Sequence, residues 1–396
     1  APLSSLEIRF SGLTAHPRVQ ICFNDTISIK LIVCKYGVEN EVSLYNNVFN
    51  DYIIYNGTWR YLDTIVENVN NIIIFNQLDP KNIKYSQYVI FIRELNKFKI
   101  DYIDKVESVV DEIRGLRETD TPLGLQANLF PYQYGGSRWL DFMANNGCGC
   151  ILADEMGLGK TLQVIAVMGY IKERKENSHF LVVCPVSLLE NWKREISKFY
   201  PSFTTYLHYG ARRTGDYREL LKYDITIMSY SSAIADAGML TMTNWDLLVI
   251  DEAQNIKNPR AKRTKAIKQI NRDVPIAITG TPFENHMTDI WSIVDFVMPG
   301  FLGNLNQFEM FFEDDLDSAV RLEKLITPLI LRRRVKDVAK DLPERVDIPQ
   351  PIIMTDEEAM LYEDSRQAEE PLDELKNMQL AKIQRLRTFC THPCVY

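Results

Sequence analysis

The chain has 396 residues, 46% of them hydrophobic and 25% charged, with a formal net charge of −8. That is enough chain for two or three domains in an ordinary globular mix, and the acidic balance argues against a small dedicated nucleic-acid-binding domain while leaving room for a large protein with one basic face. No apolar run is long enough to span a bilayer and the first ten residues lack a signal-peptide layout, so the expectation is an intracellular protein.

Residues 1–103 are rich in Asn, Ile and Tyr, and the stretches Ile27 to Val33, Asn71 to Phe75 and Tyr88 to Ile92 favour strands. Asn56-Gly57 and Asp79-Pro80 punctuate them as turns. The expectation is a small β-rich or α+β accessory domain with no catalytic signature, more readily a docking region for a protein partner than for DNA. Residues 104–124 read as a linker. Val106, Val109, Val110, Ile113 and Leu116 keep helical spacing, and Pro122 with Gly124 then breaks the chain.

From 125 to 345 the rhythm becomes strand, loop, helix. Short apolar strands are predicted at Cys150 to Ala153, Phe180 to Cys184, Ile225 to Met228, Leu247 to Ile250, Ile276 to Thr279 and Leu329 to Leu331. Helical patterns alternate with them, as where Leu162, Ile165, Ala166 and Gly169 share a face. Such alternation implies an α/β fold with a parallel sheet covered by helices, and ligands on such sheets sit at the carboxyl ends of strands. Residues 346–396 carry a helical pattern from Leu372 to Phe389 after an abrupt stretch at Gln367 to Pro371, and no second strand series. Cys148, Cys150, Cys390, His392 and Cys394 lack paired zinc-ligand spacing. Cys150 and Cys184 read instead as small hydrophobes in buried strands.

Asp154-Glu-Met-Gly157-Leu-Gly159-Lys160-Thr161 follows a predicted strand and opens a helix, the context a phosphate-binding loop requires. The glycines let backbone N–H groups converge on a phosphate chain, and helix N-terminal amides add positive potential. Lys160 would reach the outer phosphates and the Thr161 hydroxyl would ligate Mg²⁺. The general pattern begins with glycine, where this chain has Asp154. Downstream, Leu247 to Ile250 ends in Asp251-Glu252-Ala253-Gln254. Asp251 can hold Mg²⁺, and Glu252 can accept a proton from an attacking water. Ile278-Thr279-Gly280-Thr281-Pro282 places two hydroxyls after a further strand, where loss of a phosphate could be sensed.

These three segments resemble motifs I, II and III of the superfamily-two helicases. The longer runs Asp251 to Asn258, Thr279 to Asn285 and Asp289 to Val294, with Leu331-Arg-Arg-Arg334, Asp341-Leu-Pro343 and Thr391-His-Pro393, resemble the Swi/Snf family of DNA-dependent ATPases, from about Leu129 onward. Asp154 at the first loop position is normal in that family. The resemblance implies a RecA-like P-loop lobe with a helical insertion, using ATP and Mg²⁺. Its nucleotide contacts would come from Gln133 and from Asp154, Glu155, Met156, Gly157, Leu158, Gly159, Lys160 and Thr161, its metal ligands from Thr161 and Asp251. Lys160, Asp251, Glu252 and Gln254 would form the catalytic set. Gln133 takes the adenine contact of the entry motif Leu129-Phe-Pro-Tyr-Gln133, in which Phe130 replaces the family's arginine. Duplex DNA would be held by the segments after Cys184 and at Ser229, giving Ser187, Trp192, Ser229, Tyr230 and Asn285, with Arg332 and Arg333 at a lobe edge. The basic residues Arg263, Lys265 and Lys268 read as a solvated helix face.

The resemblance also implies that a second lobe is needed to supply arginines to the γ-phosphate, so 346–396 is expected to hold only a helical protrusion and the opening of that lobe. The expected function is an ATP-dependent double-stranded DNA translocase, nucleoid-associated in a prokaryote or nuclear in a eukaryote. A strand-separating or RNA-dependent ATPase and a nucleotide-gated scaffold are the alternatives.

Overall fold

A computed structural model describes residues 9–35, 37–55, 57–116, 118, 120–280, 286–338, 353–367 and 386–390. The chain divides into two compact units, 1–340 and 341–396. In the second, Asp356–Gln367 is helical and the Tyr362 and Phe389 rings lie 6.0 Å apart.

The first unit opens with short strands, β1 (Arg9–Phe10), β2 (Arg18–Asn24), β3 (Thr26–Lys35), β4 (Val38–Glu41), the two-residue pair β5 (Leu44–Tyr45) and β6 (Val48–Phe49), then β7 (Tyr52–Tyr55) and β8 (Thr58–Tyr61). Three sheets result, in the orders β1-β8-β7, β4-β3-β2-β9 and β5-β6, where β9 is Tyr102–Asp104. The long strand β3 alternates buried and half-exposed positions, as the Ile27 to Val33 pattern predicts. Two of the three predicted strands are helices instead. Asn71 to Phe75 closes α1 (Thr64–Phe75), and Tyr88 to Ile92 lies within α2 (Tyr85–Lys97). The buried set Val66, Val69, Ile72 and Ile73 recurs every three or four residues, and Asp63 caps α1 by accepting from Ile65 N. Local β-propensity is overridden there by a helical stripe that packs.

The linker helix α3 (Val106–Arg114) and the helix α4 (Pro131–Asn145) join this region to the main sheet. Contact across the junction is apolar and aromatic. The Tyr85 and Phe23 rings lie 5.1 and 6.3 Å from Phe142, and the Arg114 guanidinium lies over the buried Trp139 ring.

Seven strands form the main sheet: β10 (Cys150–Leu152), β11 (Phe180–Cys184), β12 (Thr205–His208), β13 (Ile225–Ser229), β14 (Trp245–Asp251), β15 (Arg272–Ile278) and β16 (Ile330–Leu331). They run in the order β12-β13-β11-β14-β15-β10-β16 and every pairing is parallel. Strands β11 and β13 are buried at every position, the signature of a sheet covered on both faces. Six strands match their predicted positions. The edge strand β12 had no signal, because Thr-Tyr-Leu-His is half polar and pairs on one side only. Cys148, Cys150 and Cys184 are buried, whereas Cys390 is exposed and His392 and Cys394 lie outside the described residues. Among the described residues there is no cluster of three or more His, Cys, Asp or Glu side chains able to hold a metal, and no helix long and apolar enough to cross a membrane.

Candidate active site

The carboxyl ends of β10, β14 and β15 lie side by side in the sheet, so the three motifs meet at one edge. The loop after β10 turns through Gly157 and Gly159, at φ of 90° and 70°. Side chains resist that left-handed region, and glycine here lets the amides converge on an anion. Gly159 is the N-cap of α5 (Lys160–Arg174), whose first amides have no intrahelical partner. Lys160 Nζ donates to Asp154 O (2.8 Å) and Glu155 O (3.2 Å). Burial lowers its pKa, and the carboxylates of Asp154, Asp251, Glu252 and Glu155 work the other way. An ammonium resting on neutral carbonyls gains by exchanging them for phosphate oxygens, which accept charge-assisted bonds.

Beneath the loop lies a tie that sequence reasoning missed. Asp154 is fully buried, and Arg333 grips it from Nη2 to Oδ2 (2.5 Å) and from Nε to Oδ1 (2.9 Å). Gln163 Nε2 donates to the same carboxylate (3.2 Å), and Arg333 also donates to Gln163 Oε1 (2.7 Å) and Tyr132 O. Backbone bonds from Ala153 N to Leu331 O and from Glu155 N to Arg333 O extend the β10–β16 ladder into the loop. A Cβ on Gly136 would come 1.9 Å from Gln163 Oε1 and 2.5 Å from Arg333 Nη2, so a larger residue there would push these side-chain ends out of their present positions. The expectation that Arg333 meets DNA is therefore corrected, because its guanidinium is spent on a buried carboxylate. The Asp154 side chain is likewise turned into the core, and only its carbonyl faces Lys160.

Gln133 is also nearly buried. Its Oε1 accepts from Phe130 N (2.9 Å) at the start of α4 and its Nε2 donates to Leu158 O (3.2 Å), bracing the loop. Phe130 is 62% exposed and its ring lies parallel to that of Tyr132, 5.9 Å away. Leu158 is buried, whereas Glu155, Met156 and Gly157 are exposed and Thr161 is half-buried. Glu155 Oε2 accepts from Val335 N (2.7 Å).

At the end of β14, Asp251 accepts from Trp192 Nε1 (2.9 Å, Oδ2) and from Glu252 N (2.9 Å, Oδ1). Burial raises its pKa above the ordinary 3.8, these two hydrogen bonds oppose the rise, and Glu252 adds to it. Among the described residues no lysine or arginine pairs with Asp251 directly. A buried carboxylate with lone pairs left on its oxygens, and Lys160 near enough to act on it only through space, fits a magnesium ligand, with Thr161 at the start of α5 as the second candidate. Glu252 adopts φ 53°, ψ 59°, rare for a side-chain-bearing residue and costing of order 1–3 kcal/mol. Its Oε2 accepts from Gln254 Nε2 (2.8 Å), and Gln254 Oε1 accepts from Thr279 Oγ1 (3.2 Å). A hydrogen-bonded chain thus links Glu252 to the segment after β15. Thr281, Pro282 and Asn285 lie outside the described residues.

Three further expected DNA contacts are corrected. Trp192 is 1% exposed on α6 (Leu189–Phe199), with its indole N–H spent on Asp251. Ser229 is 1% exposed and caps the helix Tyr230–Ala235 by accepting from Ser232 N. Tyr230 is 5% exposed, donates to Asp251 O (2.8 Å) and lies under Arg263. These residues shape the acidic site from behind. Ser187 and Arg332 are exposed. Lys268 also departs from the expected solvated face, since it is half-buried and paired with Asp295 (2.7 Å).

A sequence model of the SNF2-related domain matches residues 132–395. A putative ATP-dependent helicase/translocase of Bacillus subtilis, YwqA, is 38% identical over 290 residues, covering 68% of this chain and 31% of that protein. The chromatin-remodeling ATPase INO80 of Gibberella zeae is 29% identical over 341 residues, covering 77% of this chain and 18% of its own length. The SWI2/SNF2 ATPase core of Sulfolobus solfataricus in complex with dsDNA superposes with a TM-score of 0.53 at 36% identity, covering 70% of this chain and 61% of the other. The chain thus spans about a third or less of the length of these curated relatives.

Proposed function

Because the chain belongs to the SNF2-related domain family, we propose that it is the ATP-binding part of a motor that translocates along duplex DNA. The observation that carries this reading is the convergence of Lys160, Asp251 and Glu252 at one sheet edge, on a loop tied down by Arg333. The triphosphate lies along the glycine loop, with Lys160 on its outer phosphates and the base toward the exposed face of Phe130, beside Gln133. Thr161 and Asp251 would hold magnesium, which would supply charge neutralisation at the phosphates. Glu252 takes the proton of the attacking water, and Gln254 holds its carboxylate in place. Loss of the γ-phosphate is passed through Gln254 to Thr279. Duplex DNA is the partner, as in the complex named for the Sulfolobus core, and Ser187 and Arg332 are the exposed candidates left to meet its phosphates. Residues 1–103 dock a protein partner, a reading supported by the exposed Phe10, Ile54 and Tyr61 on the β1-β8-β7 sheet.

Two substitutions test the chemistry. Lys160→Ala should abolish ATP binding, read by fluorescent-nucleotide titration. Glu252→Gln should bind ATP normally yet slow DNA-stimulated hydrolysis in the intact protein by about 10²–10⁴-fold, the usual contribution of a positioned base. Normal hydrolysis by Glu252→Gln would remove the base from the mechanism. This chain by itself should bind nucleotide and turn it over slowly, since arginines from a second lobe are part of the proposed chemistry. Brisk DNA-stimulated turnover by the 396-residue chain would refute that. A forked-duplex unwinding assay on the intact protein separates translocation from strand separation.

A further inference from the structure

Glu252 keeps its left-handed backbone by bonds at both ends of the residue. It stands at the head of the single helical turn Ala253–Ile256, with its N–H donated to Asp251 Oδ1 (2.9 Å). Its carbonyl accepts from Asn255 N and from Asn255 Nδ2, each at 2.9 Å. The Tyr230 hydroxyl donates to the neighbouring Asp251 O (2.8 Å) and lies 3.5 Å from Glu252 O. Burial pushes that hydroxyl well above its ordinary pKa, so it stays a donor.

One arginine from another helix meets both of these side chains. Arg263 Nη1 donates to Asn255 Oδ1 (2.8 Å), and its guanidinium lies over the Tyr230 ring, 5.9 Å from the centre. The helix that carries it, Lys262–Gln269, is anchored one residue further on, where the buried Thr264 hydroxyl donates to Asn258 O (2.6 Å). An asparagine amide has a donor on one side and an acceptor on the other, and turning it over exchanges them. A cationic donor on Oδ1 therefore holds Nδ2 toward the Glu252 carbonyl, whereas the reversed amide would set oxygen against oxygen. A left-handed backbone persists only where its surroundings over-determine it. Because the Glu252 torsions set the direction of its Cα–Cβ bond, a clamp on its carbonyl also aims its carboxylate.

We propose that the exposed Arg263 is a positioning residue for Glu252, acting through the Asn255 amide and the Tyr230 ring. The inference deepens the hydrolysis reading above and rests on Glu252 being the base. Arg263 thereby leaves the solvated face that its place in a basic run suggests.

The test measures ATP turnover by the intact protein at saturating DNA, with nucleotide affinity titrated in parallel, in variants whose circular dichroism is unchanged. Arg263→Gln should lower kcat and leave nucleotide affinity as it was, by about tenfold, since groups supporting an active-site side chain contribute about 10–100-fold. Asn255→Asp keeps the bond to Arg263 but turns an acceptor toward Glu252 O, and it should lower kcat at least as much. In a Glu252→Gln background, Arg263→Gln should cost nothing further, because a residue that acts through the base has nothing left to aim. Lys265→Gln, which removes an exposed charge from the same helix, should leave kcat unchanged. Full turnover by Arg263→Gln or Asn255→Asp overturns the proposal. So does a loss that multiplies in the double variant, or one that Lys265→Gln reproduces. Normal hydrolysis by Glu252→Gln alone is a separate failure, which removes the base and this inference with it.

Discussion

Asp251 shows how a single residue is tuned by neighbours remote in sequence. Its carboxyl is raised by burial and held back by the Trp192 and Glu252 N–H groups. A carboxylate whose folded pKa lies above 3.8 favours the folded state at low pH and loses that contribution as pH rises through the folded value. A bound cation favours the charged form, so magnesium-dependent nucleotide binding should fail on acidification at a higher pH than an exposed aspartate would set. Trp192→Phe removes one opposing hydrogen bond and raises the pKa further. The expected outcome is a cost of about 1–3 kcal/mol in denaturant unfolding and a shift of the acid limit of magnesium-dependent binding to higher pH. A purely structural tryptophan would change the first and leave the second where it was. The need for two acids at Asp251 and Glu252 is legible in the sequence, because an apolar strand ending in Asp-Glu is a local pattern. Trp192 is not legible as their partner, since 59 residues separate it from Asp251.

At the scale of elements, the glycine loop is built by a strand that comes almost 180 residues later. β16 pairs with β10, and Arg333 just past its end neutralises Asp154. Breaking such a pair leaves a charge buried alone, which costs about 3–5 kcal/mol. Arg333→Ala should therefore lose that much stability and weaken nucleotide binding. Arg333→Met with Asp154→Asn should recover part of the loss in a double-mutant cycle. Were Arg333 a DNA contact, the alanine variant would lose DNA affinity and keep its unfolding midpoint. Arg332-Arg333-Arg334 reads as a uniform basic run in sequence. Only the fold separates the members, because strand pairing carries Arg333 under the loop and leaves Arg332 and Arg334 exposed.

Over the first unit as a whole, the amino-terminal region packs against the main sheet through side chains that water would otherwise meet. Trp139 is fully buried under Arg114, and Phe142 lies against Tyr85 and Phe23. Removing residues 1–124 should uncover that apolar face. The expected outcome is a lower Tm and concentration-dependent aggregation in light scattering, where a merely tethered domain would leave both unchanged. The same packing explains the two strand predictions that became helices. Asn71 to Phe75 and Tyr88 to Ile92 have β-favouring residues, yet their buried positions fall at helical spacing once a neighbouring surface is there to receive them.

By itself the sequence determined the parallel α/β sheet, the family likeness and the three motifs at its edge, because strand hydrophobicity and loop chemistry are written in consecutive residues. Tertiary structure alone decided which polar side chains stand behind that edge rather than on it: Arg333, Trp192, Ser229 and Tyr230 have partners distant in sequence or burial imposed by packing. Their hydrogen bonds satisfy groups that folding removes from water, and that need appears only once the chain has closed around them.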